Sequence, residues 1–527
     1  MPEYLSPGVH VEEIKIGLKP IEGVSTSTAG FLGLTERGPI EVRLITGFEQ
    51  FQRVYGGFIA NGYMAYGVDG FFRNGGQRCF IGRVVCNGAR AATTNLSGVG
   101  YNVTIKAVGE GGWGNTVAIR VEDASLNPGD FKLTAAYWAK APPGAVIPTS
   151  PPPDDAGKAR LLRERLATAT LVEIYDNLSG NADSRDYFGK RINEISNLIR
   201  IEGSGRPRNT DAGKFFDLLE DGLESSASPL ACEPTRDDFL GGPDAQPGQR
   251  RGLSAFSEIG EISIVYVPDL HLLDKANATQ LINDIVTHCE TLKYRFAVLD
   301  AFQNTTDIPK LRPPKDSKCA AFYYPWIKIF DPVTNGPKLV PPGGYIVGIY
   351  ARNDQERGVH KAPANEVVRG AKDLEFNISE GEQDLLNPRG VNVIRSFPVR
   401  GIVVWGARTT SRDPHWKYIN VRRLLLFLEK SIEEGTQWVV FEPNSEKLWG
   451  RVRENINEFL IRVWKDGALA GKKPEEAFFV KCDRTTMAQD DLYNGRLICM
   501  IGVAPVKPAE FVIFRIAQWA GGSAVTE

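Results

Sequence analysis

The sequence predicts a multidomain α/β protein in which two distant parts of the chain build one core around an inserted, β-rich domain. Buried strand patterns alternate with helical ones from residue 30 and again after residue 252, which favours a sheet with helices packed against its faces. Residues 95–252 are instead rich in Gly, Pro and polar side chains, a texture typical of surface loops. At 527 residues the chain exceeds what one hydrophobic core usually serves.

Six segments follow from these patterns. They are an N-terminal arm and tether (1–29), a first core part (30–94), the insertion (95–252), a second core part (253–380), a C-terminal domain (381–503), and a C-terminal tether and arm (504–527). We expect the insertion on the outside of any assembly, because its irregular backbone would be costly to bury.

Within the core, short apolar runs predict strands and apolar residues at intervals of three or four predict helices. Strands are expected at residues 31–34, 78–85, 262–267, 296–299, 345–350 and 402–405, and helices at 48–55 and 278–293.

Two further helices are predicted in the C-terminal domain. The first has Asp413 as N-cap and Pro414 at the first helical position, and ends at Gly435. The second begins near Ser445 and ends at Gly467. A strand is expected between them, at residues 437–441.

Each end of the chain carries an alternating, strand-like run on a linker rich in Gly or Pro. The first run is residues 9–14, followed by the linker 17–29, and the second is residues 511–519, preceded by the linker 504–509. An unpaired strand is a liability in a monomer because its backbone groups lack partners. Pairing of residues 511–519 with the adjacent run 496–503, in a plain hairpin, remains an alternative.

Composition excludes several functional classes. The 62 basic and 64 acidic side chains nearly balance, unlike the basic surface of a nucleic-acid binder. The longest apolar runs fall far short of the roughly 20 residues that span a bilayer, and the N-terminus does not resemble a secretion signal. Seven scattered cysteines favour reduced thiols made in a cytoplasm.

No motif supports a catalytic, metal or cofactor site. Residues 109–114 (GEGGWG) fit a dinucleotide fingerprint, but an alternating β-branched run follows instead of a helix, so a Gly-rich hairpin turn is expected. Asp269, His271 and Asp300 lie near strand ends, where α/β active sites gather, yet no serine elbow accompanies them. An α/β hydrolase or a dinucleotide-binding enzyme is the alternative hypothesis.

Seven segments, spread in order over nearly the whole chain, carry a family resemblance. They are 4–13 (YLSPGVHVEE), 30–39 (GFLGLTERGP), 113–115 (WGN), 341–352 (PPGGYIVGIYAR), 358–366 (GVHKAPANE), 386–392 (LNPRGVN) and 404–409 (VWGART). Together they resemble the contractile tail sheath family of myophages, R-type tailocins and extracellular contractile injection systems. His360 departs from that pattern, since the family often carries Trp there.

The resemblance implies a structural subunit that polymerises helically around an inner tube and contracts to drive the tube through a target envelope. It implies further copies of the chain, the inner tube protein, and baseplate and terminal cap proteins as partners, with no nucleic acid bound directly and no membrane insertion. It also implies synthesis and assembly in the bacterial cytoplasm, in a phage tail or a tail-like particle that can be released.

The resemblance further implies that each subunit lends its terminal strands to sheet edges of its neighbours. The predicted intersubunit strand residues are Val9, Val11, Glu13, Ile14, Phe511, Ile513, Arg515 and Trp519, and the predicted tether residues are Gly17, Pro20, Gly23, Pro505 and Pro508. With the insertion outside, the tube-facing surface is expected in the C-terminal region. The helix that carries Leu448, Val452 and Ile456 is the candidate.

Overall fold

The computed structural model describes residues 20–96, 101–127, 129–139, 155–211, 214–225, 233–242 and 245–513. The chain divides into two compact units. The core unit comprises residues 25–357 and 362–422, and the terminal unit comprises residues 1–24, 358–361 and 423–527. The predicted strand at residues 9–14 and the predicted sites Gly17, Arg515 and Trp519 lie outside the described residues.

The core unit is built on a nine-stranded sheet. Its strands are β1 (Ala29–Gly33), β2 (Arg43–Ile45), β3 (Cys79–Arg83), β11 (Ile264–Tyr266), β12 (Phe296–Asp300), β13 (Ala320–Tyr324), β16 (Glu366–Val367), β18 (Val391–Phe397) and β19 (Gly401–Val404). They lie in the order β16-β19-β18-β13-β12-β11-β1-β3-β2. The six central strands are parallel to one another, and antiparallel strands close both edges. This confirms an α/β core assembled from two distant parts of the chain.

Helices complete the core unit. They are α1 (Phe48–Tyr55), α2 (Met64–Arg73), α5 (Arg236–Leu240), α6 (Gly252–Phe256), α7 (Lys275–Thr291), α8 (Gly343–Arg357) and α9 (Glu380–Leu386). The predicted strand at residues 345–350 is wrong, because this run lies inside α8. Every residue from 343 to 353 is buried, and a helix that is apolar on all sides shows no period that distinguishes it from a buried strand. A three-stranded sheet adjoins, made of β14 (Ile327–Asp331), β15 (Gly336–Val340) and β17 (Asp373–Leu374).

The inserted domain has two antiparallel sheets and its own apolar core. One sheet contains β6 (Val117–Asp123), β7 (Phe131–Tyr137), β8 (Leu171–Leu178) and β10 (Asp217–Leu218), and the other contains β4 (Thr93–Asn95), β5 (Asn102–Ala107) and β9 (Ile199–Ser204). Helices α3 (Asp155–Leu166) and α4 (Phe188–Ile192) accompany them. Phe239 and Leu253 pack into the core of the large sheet, so α5 and α6 belong to the core, and the insertion ends before the boundary predicted at residue 252.

The terminal unit contains α10 (Ile419–Gly435, from residue 423), α11 (Glu446–Lys465), α12 (Pro474–Ala477), α13 (Gln489–Tyr493) and a two-stranded sheet of β20 (Phe478–Lys481) and β21 (Met500–Val503). The second predicted helix is confirmed, and the Ser445 hydroxyl accepts a hydrogen bond from the Leu448 amide at its N-cap. Asp413 instead caps a separate 3₁₀ turn. The predicted strand at residues 437–441 is wrong, because a 3₁₀ turn occupies residues 437–439. Since β18 belongs to the large sheet, the C-terminal domain begins later than residue 381.

The structure bears on two expectations drawn from composition, the state of the cysteines and the absence of membrane spans. Cys79, Cys289, Cys319, Cys482 and Cys499 are free thiols, but Cys86 is disulfide-bonded, so the expectation of seven reduced cysteines is wrong there. In the part of the chain that the structure describes, no helix is long and apolar enough to span a membrane.

Candidate assembly site in the terminal unit

Asp269, His271 and Asp300 do not form a catalytic relay. The two Asp269 oxygens accept hydrogen bonds from the backbone amides of Leu34 and Tyr63. Asp300 accepts one from the Tyr266 hydroxyl at 2.7 Å. Neither ring nitrogen of His271 has a hydrogen-bond partner among the residues that the structure describes, and burial lowers the pKa of its imidazole to about 3. A triad needs a histidine bonded to its carboxylate, whereas here Asp269 binds two backbone amides and Asp300 binds a tyrosine hydroxyl.

A cavity of about 490 Å³ borders His271 at the ends of the central strands. Its walls include Trp326 and Phe302, whose rings lie in T-shaped arrangements with the imidazole at centroid distances of 5.0 and 5.7 Å. Among the described residues no cluster of three or more His, Cys, Asp or Glu side chains could hold a metal ion.

The Gly-rich run 109–114 allows two backbone segments to approach closely. It leads into a 3₁₀ helix, Gly112–Thr116, and then into β6. Because β5 and β6 belong to different sheets, the run is not the hairpin turn that the sequence predicts. A Cβ at Gly109 would lie 2.2 Å from the Gly38 carbonyl oxygen, so the close backbone approach requires glycine there.

The root of the N-terminal arm is fixed to the terminal unit. Ile21 is 1% exposed and packs in the core of this unit. The Val24 amide donates to the Ser431 hydroxyl at 3.1 Å, and a Cβ at Gly23 would lie 2.8 Å from the Phe427 ring. The flexible tether predicted for residues 17–29 is therefore wrong over 21–24, although Pro20 is exposed.

The small sheet of β20 and β21 has one buried face and one open face. Phe478 is buried in the core of the terminal unit, and the side chains of Val480, Ile501 and Val503 pack against the same core. On the opposite face Phe479 and Met500 are 55% and 56% exposed. Within the described residues, neither strand pairs with a third strand of the sheet. Unpaired ladder groups beside exposed apolar side chains form a template for an added strand. We call this surface the receiver sheet.

The C-terminal segment leaves the receiver sheet in extended form. Pro505 forms a single antiparallel bridge with Leu469, and Pro508 lies in the following stretch without regular structure. Phe511, Val512 and Ile513 are 70%, 67% and 79% exposed. β21 pairs with β20, and residues 511–513 show no hairpin pairing with it.

Helix α11 turns its predicted tube-facing side chains inward. Leu448, Val452 and Ile456 are at most 5% exposed and pack in the core of the terminal unit, so they cannot contact a tube in this fold. The opposite face is charged, and its exposed residues are Lys447, Arg453, Glu454, Glu458, Arg462 and Lys465. Helical periodicity identified the helix correctly, but the apolar stripe it detects is the buried one.

Comparison with known proteins agrees with this architecture. The sequence profile of the phage tail sheath protein central domain matches residues 243–410, and that of the phage tail sheath C-terminal domain matches residues 411–518. The tail sheath protein of Burkholderia phage BcepMu is 26% identical over 427 residues, covering 76% of this chain and 81% of that protein.

Solved structures share the fold over most of the chain. The helical sheath of the anti-feeding prophage in its contracted state is 24% identical with a TM-score of 0.57, covering 97% of this chain and 99% of that one. The sheath tail protein of Listeria innocua is 12% identical with a TM-score of 0.58, covering 92% and 96% of the two chains.

The fold and the two sequence profiles together define a structural protein of the phage tail sheath class. The two sheath profiles together match more than half of the chain, and it belongs to the phage tail sheath family. The chain is a structural tail sheath protein, as its homologues are.

Proposed function

We propose that this subunit polymerises helically around an inner tube through exchanged terminal strands, and that the lattice contracts to drive the tube through a target envelope. The observation that carries the proposal is the receiver sheet, whose open face presents Phe479 and Met500. The similarity to a chain described as a helical sheath in its contracted state supports the same assembly.

The strands to be exchanged are residues 9–14 and 511–519. Each backbone hydrogen bond in an added strand contributes about 0.5–1.5 kcal/mol net. Phe511 and Ile513, exposed in the single chain, would gain further stability by burial on a neighbour. A donated strand therefore contributes several kcal/mol to each contact, and the helical repeat multiplies this contribution.

Contraction in this mechanism needs no nucleotide. Subunits assemble in an extended, metastable lattice and relax to a wider, shorter one after a trigger, with the stored free energy residing in contacts that differ between the two. The folded units move as rigid bodies. Because Ile21 and Val24 are held in place, the N-terminal tether is proposed to adjust ahead of Ile21 and the C-terminal tether beyond Val506.

The remaining contacts are proposed for two separate elements of the chain. The exposed, charged face of α11 is proposed to contact the inner tube, and the inserted domain is proposed to lie on the outer surface. One solved structure with this fold belongs to a baseplate, and contacts with baseplate and terminal cap proteins are part of the proposal. Assembly in the bacterial cytoplasm, as a phage tail or tail-like particle, completes it.

Negative-stain electron microscopy of the purified protein tests the proposal. The wild-type chain should form rods or striated tubes. Phe479→Lys places a charge on the receiver sheet, where it should oppose strand addition and leave soluble, folded monomers. Leu126→Lys, at an even more exposed apolar residue of the inserted domain (78%), is the matched control and should assemble normally. Tubes of normal length from Phe479→Lys would contradict the receiver assignment.

A further inference from the structure

Two free cysteines of the terminal unit face each other across the receiver sheet. The ladder pairs Phe478 with Val503 and continues to the pair Lys481 with Met500. The next pair outward in the same register is Cys482 with Cys499. Both are free thiols, and a side-chain hydrogen bond joins them.

The register also fixes which kind of pair they form. The Ala504 amide donates to the Ala477 carbonyl oxygen at 2.8 Å, and hydrogen-bonded and non-hydrogen-bonded pairs alternate along an antiparallel ladder. Five positions further along, Cys482 and Cys499 fall at a non-hydrogen-bonded pair, where Cα atoms are about 4.5 Å apart and side chains approach most closely. That separation lies within the range of about 4.4–6.8 Å that a disulfide spans.

The geometry points to Cys482 and Cys499 as a dithiol that closes to a disulfide across the receiver sheet when the sheath meets a low-molecular-weight disulfide as oxidant. The bond covalently closes the segment between β20 and β21. Disulfide formation follows from the chain's own geometry and does not depend on the proposed function.

The two thiols differ in access, which sets the order of events. Cys482 is 1% exposed, whereas Cys499 is half-buried. The Cys499 thiolate attacks the external disulfide, one external thiol leaves, and a mixed disulfide forms. The Cys482 thiolate then attacks the Cys499 sulfur and the second external thiol leaves. Two protein thiols are thereby oxidised to one disulfide, and one external disulfide is reduced to two thiols.

The surroundings make this exchange slow at neutral pH. Burial and the neighbouring Cys482 thiol raise the pKa of Cys499 to about 12, whereas the Arg453 guanidinium on α11 lowers it. Because the thiolate is the attacking species, the rate should rise with pH. The other titratable neighbours of the pair are few, with Asp483 acting on Cys482 in the opposite direction to Arg453.

Oxidised glutathione is the probe that tests the proposal on the full chain. After incubation at pH 8.5, alkylation of the remaining thiols and proteolysis, mass spectrometry should find the peptides of Cys482 and Cys499 linked. Cys79 and Cys289, which are buried free thiols, should remain alkylatable after unfolding. In Cys482→Ser the reaction should stop at the mixed disulfide on Cys499.

Thermal unfolding supplies the second measurement. Oxidation should raise the unfolding temperature of the terminal unit by about 5 °C or more, the order expected for closing a short loop. The double variant Cys482→Ser/Cys499→Ser should show no difference between oxidised and reduced samples. Unlinked peptides in a sample whose Cys499 carries glutathione would overturn the pairing.

Discussion

The Arg462 guanidinium of α11 donates a hydrogen bond to the Ile21 carbonyl oxygen at 2.7 Å. The Ile21 side chain lies in the core of the terminal unit, so close to α10 that a Cβ at Gly435 would lie 2.7 Å from it. Both the backbone and the side chain at this position are therefore fixed. Force applied to the N-terminal arm would pass to α10 and α11 through this residue.

Replacing Ile21 with Ala should lower the free energy of unfolding of the terminal unit by about 2–4 kcal/mol, because it leaves a cavity in a packed core. Urea unfolding followed by circular dichroism measures the change. Pro20→Ala, at the exposed neighbouring residue, should change it by less than about 0.5 kcal/mol. Equal effects at the two positions would contradict the docking of Ile21.

Asp300 should make the core unit more stable at acidic than at neutral pH. Burial raises the pKa of its carboxyl to about 7, above the unfolded value of about 3.9. As the pH rises from about 4 to 7, the unfolded state ionises first and stability falls, by at most about 1.4 kcal/mol per pH unit for this group. The fall is complete above the folded pKa.

Asp300→Asn removes this ionisation and should flatten the pH profile of the unfolding midpoint between pH 4 and 7. Burial also raises the pKa of Asp269 to about 7. The part of the pH dependence that Asp269 contributes should therefore remain in this variant. Asp307→Asn is the control. The Lys310 side chain lowers the pKa of that exposed carboxyl, so its ionisation should change the unfolding midpoint only below about pH 4. A slope unchanged by Asp300→Asn would show that other groups carry it.

Substitutions on the two faces of α11 should have different effects, one on stability and the other on tube binding. Ile456→Ala should destabilise the terminal unit by about 2–4 kcal/mol through loss of core packing. Reversing exposed charges with Glu454→Lys and Glu458→Lys should leave the unfolding free energy within about 0.5 kcal/mol but reduce co-sedimentation with the inner tube protein. Unaltered tube binding by the charge-reversed variant would exclude this face as the contact.

Ile513→Pro should block donation of the C-terminal strand. Proline removes a ladder donor and is tolerated only at edge positions. The side chain is 79% exposed in the single chain, so the fold should be unaffected. Electron microscopy should show monomers in place of tubes, and Lys507→Ala, upstream of the exposed run, should assemble as the wild type does.

Sequence patterns correctly predicted those helices and strands that bury one face and expose the other. The stripe of Leu448, Val452 and Ile456 identified α11, and Ser445 marked its start. Residues 345–350 were wrongly predicted as a strand, because this part of α8 is buried on all sides and lacks the polar face that would reveal a helical period. The periodic apolar residues of a helix mark the face that is buried inside the protein. Leu448, Val452 and Ile456 were therefore wrongly predicted to face the tube.

Other features had no local signal in the sequence. Ile21 is one apolar residue in a stretch of Gly, Pro, Ser and Thr, and only the fold brings it to Arg462 and Gly435. The pairing of Cys482 with Cys499 depends on the register of β20 and β21, which the intervening helix and turns determine. Long-range contacts of this kind depend on tertiary packing more than on any sequence period.

Deletion of residues 1–16 tests strand exchange most directly. The variant lacks the proposed donor strand but keeps Ile21 and its contacts, so its core should melt cooperatively with nearly unchanged secondary structure. Cryo-electron microscopy of this variant with the inner tube protein should show bare tubes and free subunits. Sheaths that assemble and contract normally without residues 1–16 would contradict the account, as would a deletion that unfolds the core.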